Sequence, residues 1–309
     1  MNVNKNITKS PINKDNPLEL FLKCKDYTVS KKTFSLLKDK NSGILITNPQ
    51  PKKEELGGYY ESEEYISHTD SHKTLFDKIY QIAKKRAIKN KVKIIQKFRI
   101  QNSEFKILDI GCGTGDFLKA CQNENWNIVG VEPNKKARVL AKSKLGFLTS
   151  KITNFEYNNS NVFENIEAIE NTFDVITLWH VLEHITNLEE YIIQLKKLLK
   201  LEGTLIIAVP NYNSFDAKHY KEFWAAYDVP RHLWHFSQKS IKLLFAKVAM
   251  NVVKTIPMKM DSYYVSLLSE KYKTGKSNPI KAFFIGFMSN FKAWRSKEYS
   301  SLIYILKNE

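Results

Sequence analysis

Between Phe105 and Pro210 short apolar runs alternate with stretches whose apolar residues recur at helical spacing. Lys106 to Ile110, Asn127 to Val131, Asn161 to Phe163, Phe173 to Leu178 and Thr204 to Val209 read as strands buried on both faces. Asp116 to Gln122, Lys135 to Leu145 and Leu188 to Lys200 read as helices between them. Strand and helix in alternation predict a parallel sheet. A helix over Gln238 to Val248, a strand over Val252 to Pro257 and a final strand over Ser301 to Leu306 complete the pattern. The fold class is therefore α/β: a seven-stranded, mostly parallel sheet with helices on both faces.

Upstream the pattern is different. Residues 1–16 are polar without a period and are expected to fray. Thr33 to Leu37 and Gly43 to Thr47 flank the turn-forming Asp39 to Ser42, which predicts a hairpin within a small module at 17–72. Pro49 and Pro51 end the hairpin, and Gly57-Gly58 permits a bend before Tyr59 and Tyr60. An amphipathic helix from about Lys73 to Phe98 opens the main domain, 73–309, in which residues 258–298 are too long for a plain connection and form an aromatic-rich insertion.

Composition narrows the class. The 309 residues are 43% apolar, which excludes wholesale disorder, and the net charge is +16. That charge sits on the flanks: +9 over residues 1–104, +2 over 105–256 and +5 over 257–309. Nine bases and no acid lie between Lys78 and Ser103, but with little Arg and no aromatic interleaving they read as a solvated helix face, so nucleic acid is not the expected partner. Cys24, Cys112 and Cys121 are the only cysteines, so neither a disulfide framework nor a four-thiolate zinc site is available. No run approaches the roughly 20 apolar residues of a membrane span, and a cytoplasmic location is expected.

The chemistry concentrates where the first strand turns into a helix, in ILDIGCGTGDF. Gly111, Gly113 and Gly115 let the backbone approach a ligand closely. Glu132, at the end of the second strand, stands where a carboxylate accepts both hydroxyl hydrogens of a ribose. A dinucleotide loop has its third glycine where this chain has Asp116, and Asp109 would repel a pyrophosphate. An ammonium-bearing adenosine compound suits that acid, and S-adenosyl-L-methionine fits. Cys112 reads as packing, because no base follows it closely.

LDIGCGTGDF, GVEPN, FDVITLWHVLEHI and LLKLEGTLIIAVPN follow in order, and with them the chain resembles the class I S-adenosylmethionine-dependent methyltransferases over residues 105–210. FWAAYDVPRHLWHFS, YYESEEYISHTD and SSLIYILK are similar to a bacterial small-molecule subgroup related to the quinone O-methylating enzymes. The resemblance implies a Rossmann-like fold with Asp109 and Gly111 at the methionine end, Gly113 and Gly115 shaping the loop, and Glu132 on the ribose. It places Asn165 (or Glu164) with Ile166 at the adenine, where the subgroup has an acid and an apolar residue, and Trp179 at the cofactor edge. Related proteins begin with a zinc ribbon, but Phe21, Asp39 and Ser42 stand where thiols would be, leaving Cys24; a metal-free hairpin is expected.

The acceptor belongs at the carboxyl ends of the strands. Trp179, His180, Glu183 and His184 reach there from one segment, and Asp228, Arg231, His232 and His235 from another. His180, His232 and His235 are the candidates to take an acceptor proton, with Trp234 and Phe236 excluding water. His180-x-x-Glu183-His184 has a zinc-peptidase spacing, but it directly follows a buried strand. Related quinone methyltransferases have carboxylates and a histidine here, some with a divalent metal; His180 replaces one such acid, and no metal is assigned. Tyr59, Tyr60 and Tyr65 are candidates for a lid. The expected activity is methyl transfer to a small-molecule, glycan or lipid-like acceptor at oxygen; RNA methylation and a non-catalytic scaffold are the alternatives, and protein partners are left open.

Overall fold

The computed structural model describes residues 6–60, 75–98, 104–146 and 161–309, with the side chains of 53, 75–80 and 83 left aside; Tyr65 lies outside the described residues. Seven strands form the main sheet: β4 (Lys106–Ile110), β5 (Asn127–Val131), β6 (Val162–Phe163), β7 (Phe173–Trp179), β8 (Leu199–Pro210), β10 (Met250–Pro257) and β11 (Ser301–Asn308). Their order is β10-β11-β8-β7-β4-β5-β6. β4 pairs in parallel with β5 and β7, β5 with β6, and β7 with β8, while β11 runs antiparallel between β8 and β10.

Strands so placed need apolar residues on both faces, and the sheet has them. Ile107, Val175, Ile206 and Ile305 face one packed layer; Leu108, Ile176, Leu205 and Leu306 face the other. α1 (Leu75–Gln96) and α2 (Asp116–Gln122) cover the first layer, and α4 (Leu188–Leu198) and α6 (Gln238–Ala246) the second. α3 (Lys135–Lys144) follows β5 and is capped by the Asn134 side chain on the Ala137 N–H. The expected helix to Lys200 is cut short at Leu198. Leu199 is already extended and pairs with Phe173 across an irregularity in the β7 ladder, burying its side chain.

The N-terminal module is a sheet of β1 (Leu18–Lys25), β2 (Thr33–Asp39) and β3 (Leu45–Asn48). Its far edge is β9 (Trp234–His235), lent by the main domain. Asp39 is fully buried at the β2–β3 turn, where it accepts Ser10 Oγ at 2.5 Å, Asn16 Nδ2 at 2.8 Å and the N–H groups of Asn41 and Ser42 at 2.9 and 3.0 Å. A carboxylate thus holds a turn that metal-bound thiols hold in a zinc ribbon. The tail expected to fray is corrected over its described part: Ile7 N–H bonds to Asn48 Oδ1 at 2.7 Å, and Ser10 is buried on the module.

The insertion is a helical hairpin, α7 (Asp261–Thr274) and α8 (Pro279–Ser296), following the short α5 (Phe215–Tyr220) in chain order and packing on it. Asn278 caps α8 through the Lys281 N–H, with Pro279 at its first turn.

Candidate functional site

The carboxyl ends of β4, β5 and β7 open on one edge, where the chain leaves β4 to one side and returns to β7 on the other. This reversal of strand order is where open α/β sheets take ligands. Gly111 leaves β4 with φ +70°, and a Cβ there would stand 2.5 Å from Val181 Cγ2 in the turn after β7. Only glycine meets both demands. Gly113 differs: at φ +55° it has no atom within 4 Å of where its Cβ would be, so the loop presents backbone to open space. Gly115, also left-handed, rests on Ala141 at the start of α2.

Glu132 clasps this loop. Its Oε2 accepts the Gly113 N–H at 2.8 Å and its Oε1 the Asn134 N–H at 2.8 Å. Burial pushes the carboxyl upward and prevails over the two amides and Arg138, which pull it down. Each oxygen retains a lone pair, so the carboxylate can accept from a diol while holding the loop.

Asp109 lies at the end of β4, buried, and accepts Thr177 Oγ1 at 2.6 Å. Burial raises its pKa to about 7, against the Thr177 hydrogen bond and the Lys91 ammonium. Lys91 of α1 stands with Nζ 4.5 Å from the centre of the Trp179 ring, which packs edge-on against Phe117. Burial lowers the Lys91 pKa, while Asp109 and Asp261 work the other way. The strand tips therefore already hold a positive group beside an aromatic face and a buried carboxyl. Trp179 Nε1 is buried with no hydrogen-bond partner among the described residues. An open glycine cradle, a diol-accepting acid and a buried carboxyl fit an adenosine that carries an ammonium group.

The expected adenine contacts are less well presented. Ile166 is packed into the core, Asn165 is exposed, and Glu164 pairs with Arg138 at 2.7 Å. Cys112 is buried and its thiol is pushed up by burial, in keeping with a packing role.

The second cluster begins one residue past β7. His180 has φ +58°, an uncommon conformation for a side-chain-bearing residue, and it places the imidazole between two acids. Nε2 is 3.2 Å from Asp261 Oδ2 and Nδ1 is 3.4 Å from Glu183 Oε1. Burial opposes a charge there, but hydrogen bonding to Asp261 and Glu183 outweighs it and lifts the pKa to about 10. His180 is thus a cation near neutrality, a donor rather than the proton acceptor expected from the sequence.

Glu183 is almost fully buried, and neither oxygen meets a regular hydrogen-bond donor among the described residues. Despite burial, His180, His232 and His184 hold its pKa down at about 2. His184 and His232 stand edge to face, 4.5 Å between ring centres. Nδ1 of His184 meets Arg231 O at 3.0 Å and Tyr60 Oη at 2.9 Å, and Nδ1 of His232 meets Ala226 O at 2.9 Å. With both Nδ1 atoms on backbone carbonyls, each Nε2 keeps its lone pair. Ligand atoms of Glu183, His184 and His232 lie within 4.8 Å of one another, and a buried carboxylate beside two oriented imidazoles is a donor set for a divalent cation.

Arg231 forks onto Asp228, donating from Nε to Oδ2 at 2.8 Å and from Nη2 to Oδ1, and reaches the Tyr59 carbonyl at 3.2 Å. His235 does not join this cluster. It is buried in β9 with Nε2 3.0 Å from Thr47 Oγ1, and burial with the neighbouring His232 lowers its pKa to about 3, so the proton-acceptor role expected of it is corrected to a structural one. Of the lid candidates, Tyr59 and Tyr60 touch the cluster. The sequence reading missed Lys91, Thr177 and Asp261. One lysine among the six of α1 carries no distinguishing signal, and Asp261 is brought in only by the tertiary placement of α7.

A family model described as "Methyltransferase domain" matches residues 74–255. A ubiquinone biosynthesis O-methyltransferase of Erwinia tasmaniensis is 29% identical over 109 residues, 35% of this chain and 44% of that protein. An uncharacterized methyltransferase of Oceanobacillus iheyensis is 27% identical over 121 residues, 38% of this chain and 53% of the relative. The matched stretch thus spans about half the length of these curated relatives or less. Among solved structures, a cyclopropane synthase of Mycobacterium tuberculosis superposes with a TM-score of 0.51 at 14% identity, covering 84% of this chain and 99% of that one, a likeness of fold alone.

Proposed function

This chain belongs to the methyltransferase domain family, of the class I S-adenosylmethionine-dependent type, and on that premise we propose that it methylates a hydroxyl oxygen of a small-molecule, glycan or lipid-like acceptor. The observation that carries the cofactor side is the Glu132 carboxylate closed onto the Gly113 amide at 2.8 Å beside an open glycine loop. S-adenosylmethionine, when bound, supplies a methyl carbon made electrophilic by the sulfonium. The chain's own work is to hold that carbon and the acceptor in line and to govern the acceptor's proton.

Asp109 and the loop hold the amino-acid end and Glu132 the ribose. His180, fixed by Asp261 and Glu183, stands beside Trp179 and sets a positive charge at the edge the acceptor meets. His232 is the remaining histidine to receive the acceptor's proton, with Asp228 Oδ2 3.8 Å away as the counter-charge. Were Glu183, His184 and His232 to hold a divalent cation instead, His232 Nε2 would be a ligand and the ion, not His232, would favour the ionised form of a bound hydroxyl. Oxygen as the methylated atom is supported by the O-methyltransferase relatives and by this hydroxyl-managing cluster.

Calorimetric titration with S-adenosylmethionine tests the reading. Wild-type protein is expected to bind, and Glu132→Gln to bind on the order of tenfold to a hundredfold more weakly, since the amide cannot accept two hydroxyls while facing two N–H groups. A wild-type protein that ignores the nucleoside, or a Glu132→Gln protein of unchanged affinity, overturns it. Methyl-labelled cofactor incubated with extract fractions then identifies the acceptor.

A further inference from the structure

The α7–α8 hairpin has an outer surface that neither the sheet nor the site accounts for. On α8, the residues Ile280, Phe283, Phe284, Phe287, Phe291 and Trp294 recur at spacings of three and four, and each is between 49 and 73% exposed. At 100° per residue they fall within about 100° of the helix circumference. The opposite side is small and buried: Ala282, Gly286, Ser289 and Ala293 pack against the protein, and a Cβ on Gly286 would stand 2.8 Å from Tyr263. The large residues are therefore not a core stripe that has slipped outward, because α8 already has its inward face. At roughly 200 Å² per aromatic side chain and half exposure or more, the stripe presents on the order of 600 Å² of contiguous apolar surface, at the upper limit for a surface without a partner.

Charge says what the partner is. From residue 271 to residue 297 the chain carries seven Lys and Arg and no Asp or Glu. Arg295, Lys281 and Lys292 fall along one edge of the stripe at the same 100° per residue. Lys281 leans on Glu270 at 3.0 Å and Lys292 over the Phe215 ring at 3.9 Å, while Lys271, Lys273, Lys276 and Lys297 extend the same sign beyond the helix ends. A second copy would set this basic rim against itself, with like charges opposed. A surface with an apolar interior and anionic head groups satisfies both features. No helix among the described residues is long and apolar enough to cross a membrane, so the geometry is one of lying in the interface rather than spanning it.

We propose that the outer face of α8 docks on an anionic lipid bilayer, with the aromatic stripe in the acyl boundary and the basic residues at the head groups. The same hairpin begins with Asp261, 3.2 Å from the His180 imidazole, so the docking element is joined to the histidine cluster through α7. The binding itself does not depend on the methyl-transfer reading.

The test uses the full chain in vesicle flotation. Phosphatidylcholine vesicles containing phosphatidylglycerol should carry the protein upward, pure phosphatidylcholine vesicles less, and about 0.5 M salt should release part of it. Phe284→Glu combined with Phe287→Glu and Phe291→Glu should weaken binding by on the order of tenfold or more at an unchanged thermal midpoint. Should that variant fail to fold, wild-type fluorescence decides: Trp294 is the exposed tryptophan, so brominated acyl chains should quench it, and Trp294→Phe should remove the quenching while flotation persists. Absence of flotation, flotation equal in the triple variant, or a wild-type dimer that this variant converts to monomer without any lipid binding each overturns the proposal.

Discussion

The role proposed for Asp109 sets two opposed requirements: the carboxyl would have to be an anion to hold an ammonium, and it is buried where an anion is costly. Its pKa, raised to about 7, is the outcome. A bound ammonium favours the carboxylate, so the ligand must displace a proton from whatever fraction is protonated. Cofactor affinity is therefore expected to rise between pH 6 and about 7.5, by up to tenfold per unit below the pKa, with proton release visible as a dependence of the calorimetric heat on buffer ionisation. A flat or falling profile sinks the assignment. The same raised value acts oppositely on stability. The folded state binds the proton more tightly than the unfolded chain, whose carboxyl titrates near 3.8, so stability drops as pH climbs from that value through about 7. Asp109→Asn should then denature later than wild type at pH 8, by roughly 1–4 kcal/mol, and bind the cofactor poorly and without the pH dependence.

At the scale of elements, the insertion is tied to the sheet by one acid. Asp216, in α5 and wholly buried, accepts Trp224 Nε1 at 2.8 Å, Ser289 Oγ of α8 at 2.6 Å and Ser300 Oγ, next to β11, at 2.7 Å. Asp216→Ala strands three buried donors and should lower the urea-denaturation free energy by about 3 kcal/mol, whereas Asp216→Asn, which keeps one acceptor oxygen, should cost about half as much. Equal losses would show that packing volume, not hydrogen bonding, is what Asp216 supplies. Nothing in the sequence marks this residue, because its partners lie 8, 73 and 84 positions away. The parallel core is the opposite case: KILDI and NIVGV are short, mostly apolar runs, and the glycine loop and Glu132 sit at their ends, so strand and site are local facts. β1 was not legible, because its outward residues include Leu20 at 57% exposure and its apolar positions interleave with lysines. The histidines were legible as residues but not in their protonation, which the facing acids Asp261 and Glu183 decide for His180 and burial in β9 decides for His235.

Across the whole molecule, the N-terminal module and the main domain share a sheet. Leu45 and Ile46 of β3 pair with His235 and Trp234 of β9, Thr47 Oγ1 donates to His232 O at 2.6 Å, Gln50 Nε2 to Leu233 O at 3.1 Å, and the Tyr212 hydroxyl to Gly43 O. These bonds converge on the segment that carries Asp228, Arg231 and His232, whose backbone the module thereby fixes. Arg231 adds a bond from Nη1 to Thr28 Oγ1 at 2.9 Å. Two independently stable bodies joined by a hinge would not bury Ile44, Leu45 and Ile46 completely in this way. Unfolding is accordingly expected in one calorimetric transition, with no separate melting of the module. Deleting residues 1–50 should expose the β9 edge and the aromatic side chains under it, and lower the midpoint by about 10 °C or more. Glu132 and the glycine loop make no contact with the module in the hydrogen bonds described, so the truncated chain, at a temperature where it stays folded, should still bind S-adenosylmethionine while losing methyl transfer. Two resolved transitions in the full chain, or a truncated protein that keeps its midpoint and its activity, would show the module to be an appendage instead of the support of the segment that carries His232.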